Sequence, residues 1–204
     1  MRDQRVKDVV FDLGNVLLRW DPRHLYRKVF ADEARMEYFL STACSLAWIH
    51  SIDGCRDFAA PIAARAQEFP EFADELALFD TRWLETLDGA IAENLTIFHA
   101  LKAAGRPVYG ITNYPAQKFD LSRELHPFLD DFDEIVVSGR EGVTKPDARI
   151  YEILFERAGR APEDLVFVDD VARNIAAAER LGMRGVLYAP GMDLAAELRK
   201  LGAL

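Results

Sequence analysis

The chain has 204 residues, half of them hydrophobic, and carries a formal net charge of −9 at pH 7. This length suits one α/β domain, or a core with a modest insertion, and it is sufficient to bury a sizeable core. The acidic balance argues against nucleic acid as a partner, because binding a phosphate backbone requires clustered Lys and Arg. It also means that long-range attraction will not draw an anion to the protein, so an anion site has to be formed locally.

The N-terminal segment does not resemble a signal peptide, since MRDQR leads into a short apolar run that Asp12 interrupts. No stretch is apolar over the length needed to span a bilayer. We therefore expect a cytoplasmic protein with no membrane partner. The sequence pattern does not distinguish a monomer from a homodimer.

Five short apolar segments are typical of buried strands. In chain order they are residues 6–11, 108–112, 134–138, 165–168 and 185–188. Apolar stripes at helical spacing over 91–101, 150–158 and 175–181 lie between or after these strands, and each is followed by a glycine that can end a helix. This alternation predicts an α/β fold with a doubly wound, mainly parallel, Rossmann-like sheet.

The segment 19–89 interrupts the alternation and contains no convincing strand. Apolar and aromatic residues recur there at helical spacing over 58–69 and again over 72–87. We expect a helical insertion whose aromatic side chains pack a core of their own rather than line a ligand site. The predicted units are an α/β core of residues 1–18 and 90–204 and a helical cap of residues 19–89.

Polar side chains follow the predicted strands at their carboxyl ends, where open α/β sheets bind ligands. They come after the first, second and fourth strands and in the loop after the third, and they are Asp12, Thr112, Asn113, Lys145, Asp169 and Asp170. Three neighbouring carboxylates repel one another unless a cation lies among them. Because the donors are oxygens, with no His or Cys nearby, the expected ion is Mg²⁺.

This set of groups suits phosphate chemistry. A carboxylate at Asp12 that shares the metal with a phosphate oxygen is placed for in-line attack, which would give an aspartyl-phosphate. Thr112 can donate its hydroxyl to a phosphate oxygen, and Lys145 can neutralise further negative charge. The amides of the turn after Asp12 can bind the remaining oxygens.

Each residue also has a plain structural explanation. Asp12 could begin a turn, Lys145 could be a solvated surface charge, and Asp169 or Asp170 could cap a helix that begins near Val171. Two adjacent acids at the end of a buried strand are unfavourable without a cation, however. Their occurrence together with the other residues, in order at successive strand ends, favours a functional site.

The sequence resembles the haloacid dehalogenase superfamily. Its four motifs are matched in order by residues 11–17 (FDLGNVL), 111–113 (ITN), 145–146 (KP) and 168–170 (VDD). The FDLGNVL form is most similar to a subgroup of sugar-phosphate phosphatases typified by the alpha-glucose-1-phosphate phosphatase type. The resemblance covers the whole chain and implies a magnesium-dependent phosphatase with a C1-type helical cap. The implied partner is a small-molecule phosphate ester, such as glucose 1-phosphate.

The resemblance also implies the metal ligands. Asp12 would be both nucleophile and magnesium ligand, and Gly14 would contribute its backbone carbonyl. Asp170 would bind the metal directly, with Asp169 behind it or bound through water.

On the substrate side, the resemblance assigns phosphate contacts to Thr112 and Asn113. Lys145 would bridge the phosphate and the nucleophile.

One position departs from the pattern of these phosphatases. Most of them have a second Asp two residues after the nucleophile, as general acid and base, where this chain has Gly14. Since such help contributes about 10²- to 10⁴-fold, we expect slow turnover or a substrate with a good leaving group, such as an anomeric sugar phosphate. Asp21 and His50 are conceivable replacements. Asp21 precedes Pro22 and is more typical of a helix cap, and His50 is more typical of packing within the insertion, though it could line a substrate entrance.

Two other functions remain open. The dehalogenases of the superfamily also lack the second Asp and use no metal, but they do not need the acidic pair at 169–170. A scaffold that binds a phosphometabolite or a protein without turnover is the non-enzymatic alternative. The retained nucleophile, lysine and acidic pair argue against it.

Overall fold

The computed structural model describes residues 7–204. The strands within this range are β1 (Asp8–Phe11), β2 (Leu18–Trp20), β3 (Leu87–Ala90), β4 (Val108–Thr112), β5 (Glu134–Val137), β6 (Leu165–Asp169) and β7 (Arg184–Leu187). The helices are α1 (Pro22–Tyr26), α2 (Glu33–Ser41), α3 (Leu46–Ile52), α4 (Ala59–Glu68), α5 (Ala73–Thr81), α6 (Ala92–Ala103), α7 (Ala116–Leu125), α8 (Ser138–Glu141), α9 (Ala148–Ala158), α10 (Ala172–Arg180) and α11 (Leu194–Lys200). In this range, every helix is too short or too polar to cross a bilayer.

A five-stranded parallel sheet forms the core, in the order β5-β4-β1-β6-β7. Alternate residues of the central strand β1 point to opposite faces, so Val9 and Phe11 join one apolar cluster and Val10 joins another. Both faces of the sheet are therefore covered, as expected for parallel strands linked by helices. The predicted α/β fold with a mainly parallel, Rossmann-like sheet is confirmed.

The predicted core strands are confirmed with small shifts at their ends. The third ends at Val137, because Ser138 begins α8, and the fourth extends to Asp169. The last strand lies one residue earlier than predicted, at Arg184–Leu187. Val6, in the first predicted strand, lies outside the described residues. The three predicted helices correspond to α6, α9 and α10.

Three helices of the core, α7, α8 and α11, were not predicted. The α7 sequence AQKFDLSREL is mostly polar and buries only Lys118, Phe119 and Ser122. Two of those buried residues are polar, so the helix lacks the apolar stripe by which an amphipathic helix is recognised.

The prediction that segment 19–89 contains no strand is wrong at both of its ends. β2 and β3 pair in an antiparallel manner, with Leu18 opposite Ala90 and Trp20 opposite Leu87. Strands of three and four residues are too short for an alternating pattern to be recognised. The pairing brings the two ends of the insertion together beside the end of β1. The division of the chain into core and cap at these positions stays a prediction.

The rest of the insertion is helical and packs around a cluster of aromatic rings, as predicted, but Trp83 of this cluster also lines the cavity at the strand ends, contrary to the prediction. Phe79 lies at its centre, fully buried, with ring centroids 5.1 Å from Trp83, 5.6 Å from Phe58, 6.2 Å from Trp48 and 6.4 Å from Tyr26. Rings at these separations and tilts add attraction to the burial of their surface.

Phe79→Ala should lower the free energy of unfolding by about 3–5 kcal/mol, because it removes a buried ring and leaves a cavity among its neighbours. Chemical denaturation measures this loss. Phe69→Ala is the matched control, since its half-buried ring lies at the edge of the insertion and we expect a smaller effect. Equal effects of the two changes would contradict a cluster centred on Phe79.

Candidate active site

Asp12 directly follows the central strand of the sheet. Its backbone N–H donates to the Val168 carbonyl at 2.9 Å, and this bond extends the pairing of β1 with β6 by one residue. The Leu13 N–H donates to Asp12 Oδ1 at 2.7 Å and so orients the carboxylate. The chain then turns sharply, with Asn15 in the left-handed region at φ 55°. Asp12 is 8% exposed and faces a cavity at the carboxyl ends of the strands.

Lys145 forms an ion pair with Asp12 at the carboxyl end of the sheet, so the two residues lie close together, as their positions at strand ends predict. Its Nζ lies 2.8 Å from Asp12 Oδ1 and 2.7 Å from Asp169 Oδ2. It also donates to the Ile111 carbonyl at 3.0 Å. The ammonium group has three N–H donors, and these three acceptors match them. Lys145 is 3% exposed, so it is a buried charge and not a solvated charge on the surface.

The two acids after β6 have different surroundings. Asp169 is fully buried and accepts hydrogen bonds from Lys145, the Val171 N–H and the Asn174 amide. Asp170 is only partly buried and lines the cavity beside Asp12. Neither acid accepts a helix-capping bond within α10, whose N-cap residue Val171 has no side-chain cap. The geometry therefore separates an inner, fully bonded carboxylate from an outer one that is open to a ligand.

Thr112 and Asn113, after β4, both line the cavity. Asn113 is held against the lysine loop: its Oδ1 accepts from the Lys145 N–H at 2.7 Å, and its Nδ2 donates to the Lys145 carbonyl at 3.1 Å. These two bonds fix the backbone that carries Lys145. The Asn113 side chain thus has a positioning task that its sequence motif does not reveal.

Burial and neighbouring charges shift the pKa values of the ionisable groups in the site. Burial raises the pKa of Asp12, opposed by Lys145 and reinforced by the charges of Asp169 and Asp170. Burial alone would lower the pKa of Lys145, but Asp12 and Asp169 outweigh it and the net shift is upward. Burial and Asp169 also raise the pKa of Asp170. One lysine thus offsets only part of the negative charge.

The excess of negative charge fits a cation site. One carboxylate oxygen from each of Asp12, Asp169 and Asp170 lies within 4.8 Å of the others. Gly14 lies in the same cavity and has a backbone carbonyl to offer. A set made only of oxygen donors suits a hard divalent cation such as Mg²⁺. The predicted ligands are therefore together in one place.

The cavity, of about 130 Å³, lies between the strand ends and the insertion. Its floor is polar and includes Asp12, Thr112 and Lys145. Its other walls include apolar and aromatic side chains from the insertion and its flanking strands, namely Leu18, Trp20, Ile49, Trp83 and Leu87. A ligand would thus meet charge at one end and apolar surface at the other.

The two conceivable replacements for the missing acid differ in position. Asp21 caps α1, where its carboxylate accepts from the Arg23 N–H at 2.8 Å, as the Asp–Pro sequence predicts. His50 lines the cavity mouth but is exposed, and its Nδ1 lies 3.4 Å from Arg173 Nη2. Burial and the Arg173 charge lower the pKa of His50.

The sequence pattern missed several polar residues of the cavity wall, among them Asn174 and Asp53. Asn174 projects from α10 into the cavity wall, and its amide donates to the Asp169 carboxylate. In the sequence it follows the acidic pair by about one helical turn (DD-x-x-x-N), and this spacing could have indicated it. Asp53 follows α3 in the insertion and is buried against the cavity. In the sequence, Asp53-Gly54 indicates no more than a turn between two helices.

Solved structures share this architecture. A HAD family enzyme from Bacteroides thetaiotaomicron superposes with a TM-score of 0.73 at 20% identity, covering 95% of this chain and 98% of that chain. The wild-type form of the same enzyme, in complex with magnesium and inorganic phosphate, gives a TM-score of 0.68 at 20% identity, with coverages of 95% and 100%. A crystal structure described as a dehalogenase gives 0.67 at 18% identity, with 96% of both chains covered. At these identities the likeness establishes the fold alone.

Among curated proteins, the sesquiterpene phosphatase astK of Aspergillus oryzae is 36% identical over 110 residues, which are 54% of this chain and 56% of that protein. The chain thus spans only about half the length of this relative, and 15% of a second one, the drimenol cyclase drtB of Aspergillus calidoustus.

A family model for haloacid dehalogenase-like hydrolases matches residues 6–182, which include all four motifs and the whole insertion. The match extends over most of the chain and includes the residues gathered at the strand ends. The chain therefore belongs to the haloacid dehalogenase-like hydrolases.

Proposed function

We propose that the protein is a magnesium-dependent phosphatase that hydrolyses a small phosphomonoester through an aspartyl-phosphate on Asp12. One observation carries this proposal: the carboxylate of Asp12 is buried against Lys145 at the floor of a cavity that it shares with Asp170 and Gly14. A carboxylate held in this way, with an unbalanced cluster of acids beside it, suits attack on an anionic phosphate only if a cation is present.

In the proposed first step, a carboxylate oxygen of Asp12 attacks phosphorus in line with the leaving oxygen. In the second, water attacks the phosphorus of the aspartyl-phosphate and returns Asp12 to its starting state. Asp12, Asp170 and the Gly14 carbonyl would hold Mg²⁺, with Asp169 acting behind them. When bound, the ion would supply positive charge to the phosphoryl oxygens and offset the repulsion between phosphate and carboxylate.

The remaining residues of the site would orient the phosphate group and neutralise its negative charge. Because the donors of Lys145 are directed at Asp12, Asp169 and the Ile111 carbonyl, its contribution to the phosphate is chiefly its charge. Thr112 lines the cavity, so its hydroxyl can donate to a phosphoryl oxygen. We assign Asn113 to positioning the Lys145 loop, so its contact with phosphate would have to come from its backbone N–H.

The relatives support phosphate chemistry over dehalogenation. The Bacteroides thetaiotaomicron enzyme of the same fold has been crystallised with magnesium and inorganic phosphate, and the Aspergillus oryzae relative is a phosphatase. The fold alone does not discriminate, because a dehalogenase shares it. Metal-free displacement of a halide would gain nothing from Asp170, a second carboxylate open to the cavity.

For the substrate, we propose a sugar phosphate such as glucose 1-phosphate, in keeping with the FDLGNVL motif. Trp20 lines the cavity and offers an aromatic ring against which a sugar could pack. A second candidate is an isoprenoid phosphate. The apolar walls Ile49, Trp83 and Leu87 favour it, as does the sesquiterpene phosphatase relative.

Phosphate release from a panel of esters, with magnesium and with EDTA, tests the proposal. The panel contains glucose 1-phosphate, farnesyl phosphate and p-nitrophenyl phosphate, with 2-chloropropionate as the dehalogenase substrate. We expect phosphate from at least one ester, abolished by EDTA and restored by magnesium. Halide release that persists in EDTA, or tight binding of esters without turnover, would contradict the phosphatase.

Asp170→Asn should weaken magnesium binding by at least about 10- to 100-fold, the range typical of residues that only support a metal ligand. Isothermal titration calorimetry with magnesium chloride measures the affinity. Asp88→Asn is the matched control, because Asp88 is an exposed acid in β3, outside the cavity. An unchanged affinity in Asp170→Asn would show that the metal site is assigned wrongly.

A further inference from the structure

The proposed reaction needs a proton for its leaving oxygen, and the first motif does not provide one. When an alkyl ester is cleaved, the departing oxygen would carry a full negative charge unless an acid protonates it. Gly14 occupies the turn beside Asp12 and has no side chain. The donor, if the chain supplies one, has to come from elsewhere in the cavity wall. This inference rests on the proposed phosphatase function.

Asp53 is the buried acid that faces the cavity from the side of the insertion. It directly follows α3, is 6% exposed, and lines the same cavity as Asp12 and Lys145. Within the described part of the chain, its carboxyl group forms no hydrogen bond or ion pair with another residue. Because Asp53 lines the cavity, its carboxyl group is available to a ligand there instead of being taken up by another side chain.

Hydrogen bonds join the segment around Asp53 to residues of the α/β core. The Ser138 hydroxyl donates to the Asp53 carbonyl at 2.6 Å, and Arg56 donates to the Arg140 carbonyl at 3.0 Å. Gly139 permits the close approach, because a Cβ atom there would lie 2.8 Å from the Cys55 carbonyl oxygen and 2.3 Å from a second backbone atom. These contacts, across some 85 residues of sequence, hold the Asp53 carboxyl over the strand ends.

The other candidate proton donors, Asp21, His50 and Tyr114, are less suitable than Asp53 for this role. Asp21 is occupied as the cap of α1, and His50 is exposed beside Arg173. The Tyr114 hydroxyl bonds Ser122 at 2.7 Å, and burial raises its pKa further from neutrality.

The surroundings of Asp53 raise the pKa of its carboxyl group. Burial raises the pKa of its carboxyl group to about 8; Lys145 acts in the opposite direction, and the charge on Asp12 adds to the rise. These surroundings favour the neutral acid form of Asp53 more than water does for an exposed Asp.

We propose that Asp53 is the general acid and base of this active site, in place of the carboxyl group that Gly14 lacks. In the first step, the bond from Asp12 to phosphorus forms, the ester P–O bond breaks, and Asp53 gives its proton to the departing oxygen. In the second step, Asp53 takes a proton from water as the water oxygen bonds to phosphorus. The bond from Asp12 to phosphorus then breaks, and both carboxyl groups return to their initial states.

The dependence of rate on the leaving group tests this assignment. p-Nitrophenyl, phenyl and benzyl phosphate are similar in size, but their leaving oxygens need protonation increasingly in that order. Asp53→Asn should lower kcat for benzyl phosphate by about 10²- to 10⁴-fold and for p-nitrophenyl phosphate by less than about tenfold. Asp53→Glu retains an acid and should lie closer to the wild-type pattern.

Asp57→Asn is the matched control, an exposed acid on the same segment that accepts from the Ala59 N–H. We expect the wild-type rate on all three esters. If Asp53→Asn loses the same factor on every ester, or loses nothing, the proton-donor assignment is wrong while the phosphatase stands. If the wild-type protein releases phosphate from none of these esters or of the wider panel, the phosphatase itself is refuted, and this assignment with it.

Discussion

Asp12→Asn should lower phosphate release by at least about 10⁴-fold, because the amide cannot attack phosphorus or form the covalent intermediate. The fold should persist, since Asn has nearly the same shape and can still accept from the Leu13 N–H. Lys145 would also keep Asp169 and the Ile111 carbonyl as acceptors. The measurement is phosphate release under single-turnover conditions, with circular dichroism to confirm folding.

Asp8→Asn is the matched control for that change. Asp8 begins the same strand at the opposite end, where its carboxylate pairs with Arg160 at 2.7 Å. We expect nearly normal turnover in this variant. Retention of more than about a tenth of the activity in Asp12→Asn would remove Asp12 from the role of nucleophile.

Lys145→Met should affect both activity and stability. It leaves two buried carboxylates, Asp12 and Asp169, without their shared cation, and breaking a buried ion pair in this way costs about 3–5 kcal/mol. Turnover should fall by about 10²-fold or more, because the positive charge that faces the phosphate is lost. Urea denaturation without magnesium measures the stability, and the ester panel measures the activity.

The pH dependence of this variant follows from the same charges. Without Lys145, burial and the neighbouring acids raise the pKa of Asp12 in the folded state above its value in the unfolded chain. The folded state then binds more protons, so the stability of the variant should rise as pH falls from 8 towards 5. Lys102→Met is the control, since its ion pair with Asp133 is partly exposed and should contribute at most about 1 kcal/mol. A loss in Lys145→Met no larger than in this control would contradict the buried network.

The strand-end residues could be predicted because their positions follow from local sequence. A buried parallel strand is recognisable as a short apolar run, and its carboxyl end is the next residue along the chain. Asp12, Thr112 and Asp169 were found in this way, and the structure brings them together in one site. The alternation of strands and helices, and the helices with strong apolar stripes, follow from the same short-range patterns.

Features that depend on contacts between distant segments could not be predicted. Asp53 is held near the site by contacts with distant residues, such as the bond between its carbonyl and Ser138, 85 residues away. The bonds of Asn113 to the Lys145 backbone and the short pair β2–β3 depend likewise on tertiary packing. The different environments of Asp169 and Asp170 also appear only once Lys145 and Asn174 are placed around them.

Phosphorylation of Asp12 is the step on which the proposed function depends, and it can be observed directly. An ester that the panel identifies as a substrate is mixed with the wild-type protein, the reaction is stopped in acid, and the digest is examined by mass spectrometry. We predict the added mass of one phosphoryl group on the peptide that contains Asp12, removable by hydroxylamine and absent from Asp12→Asn. A phosphoryl group carried instead by another residue during turnover would contradict the mechanism.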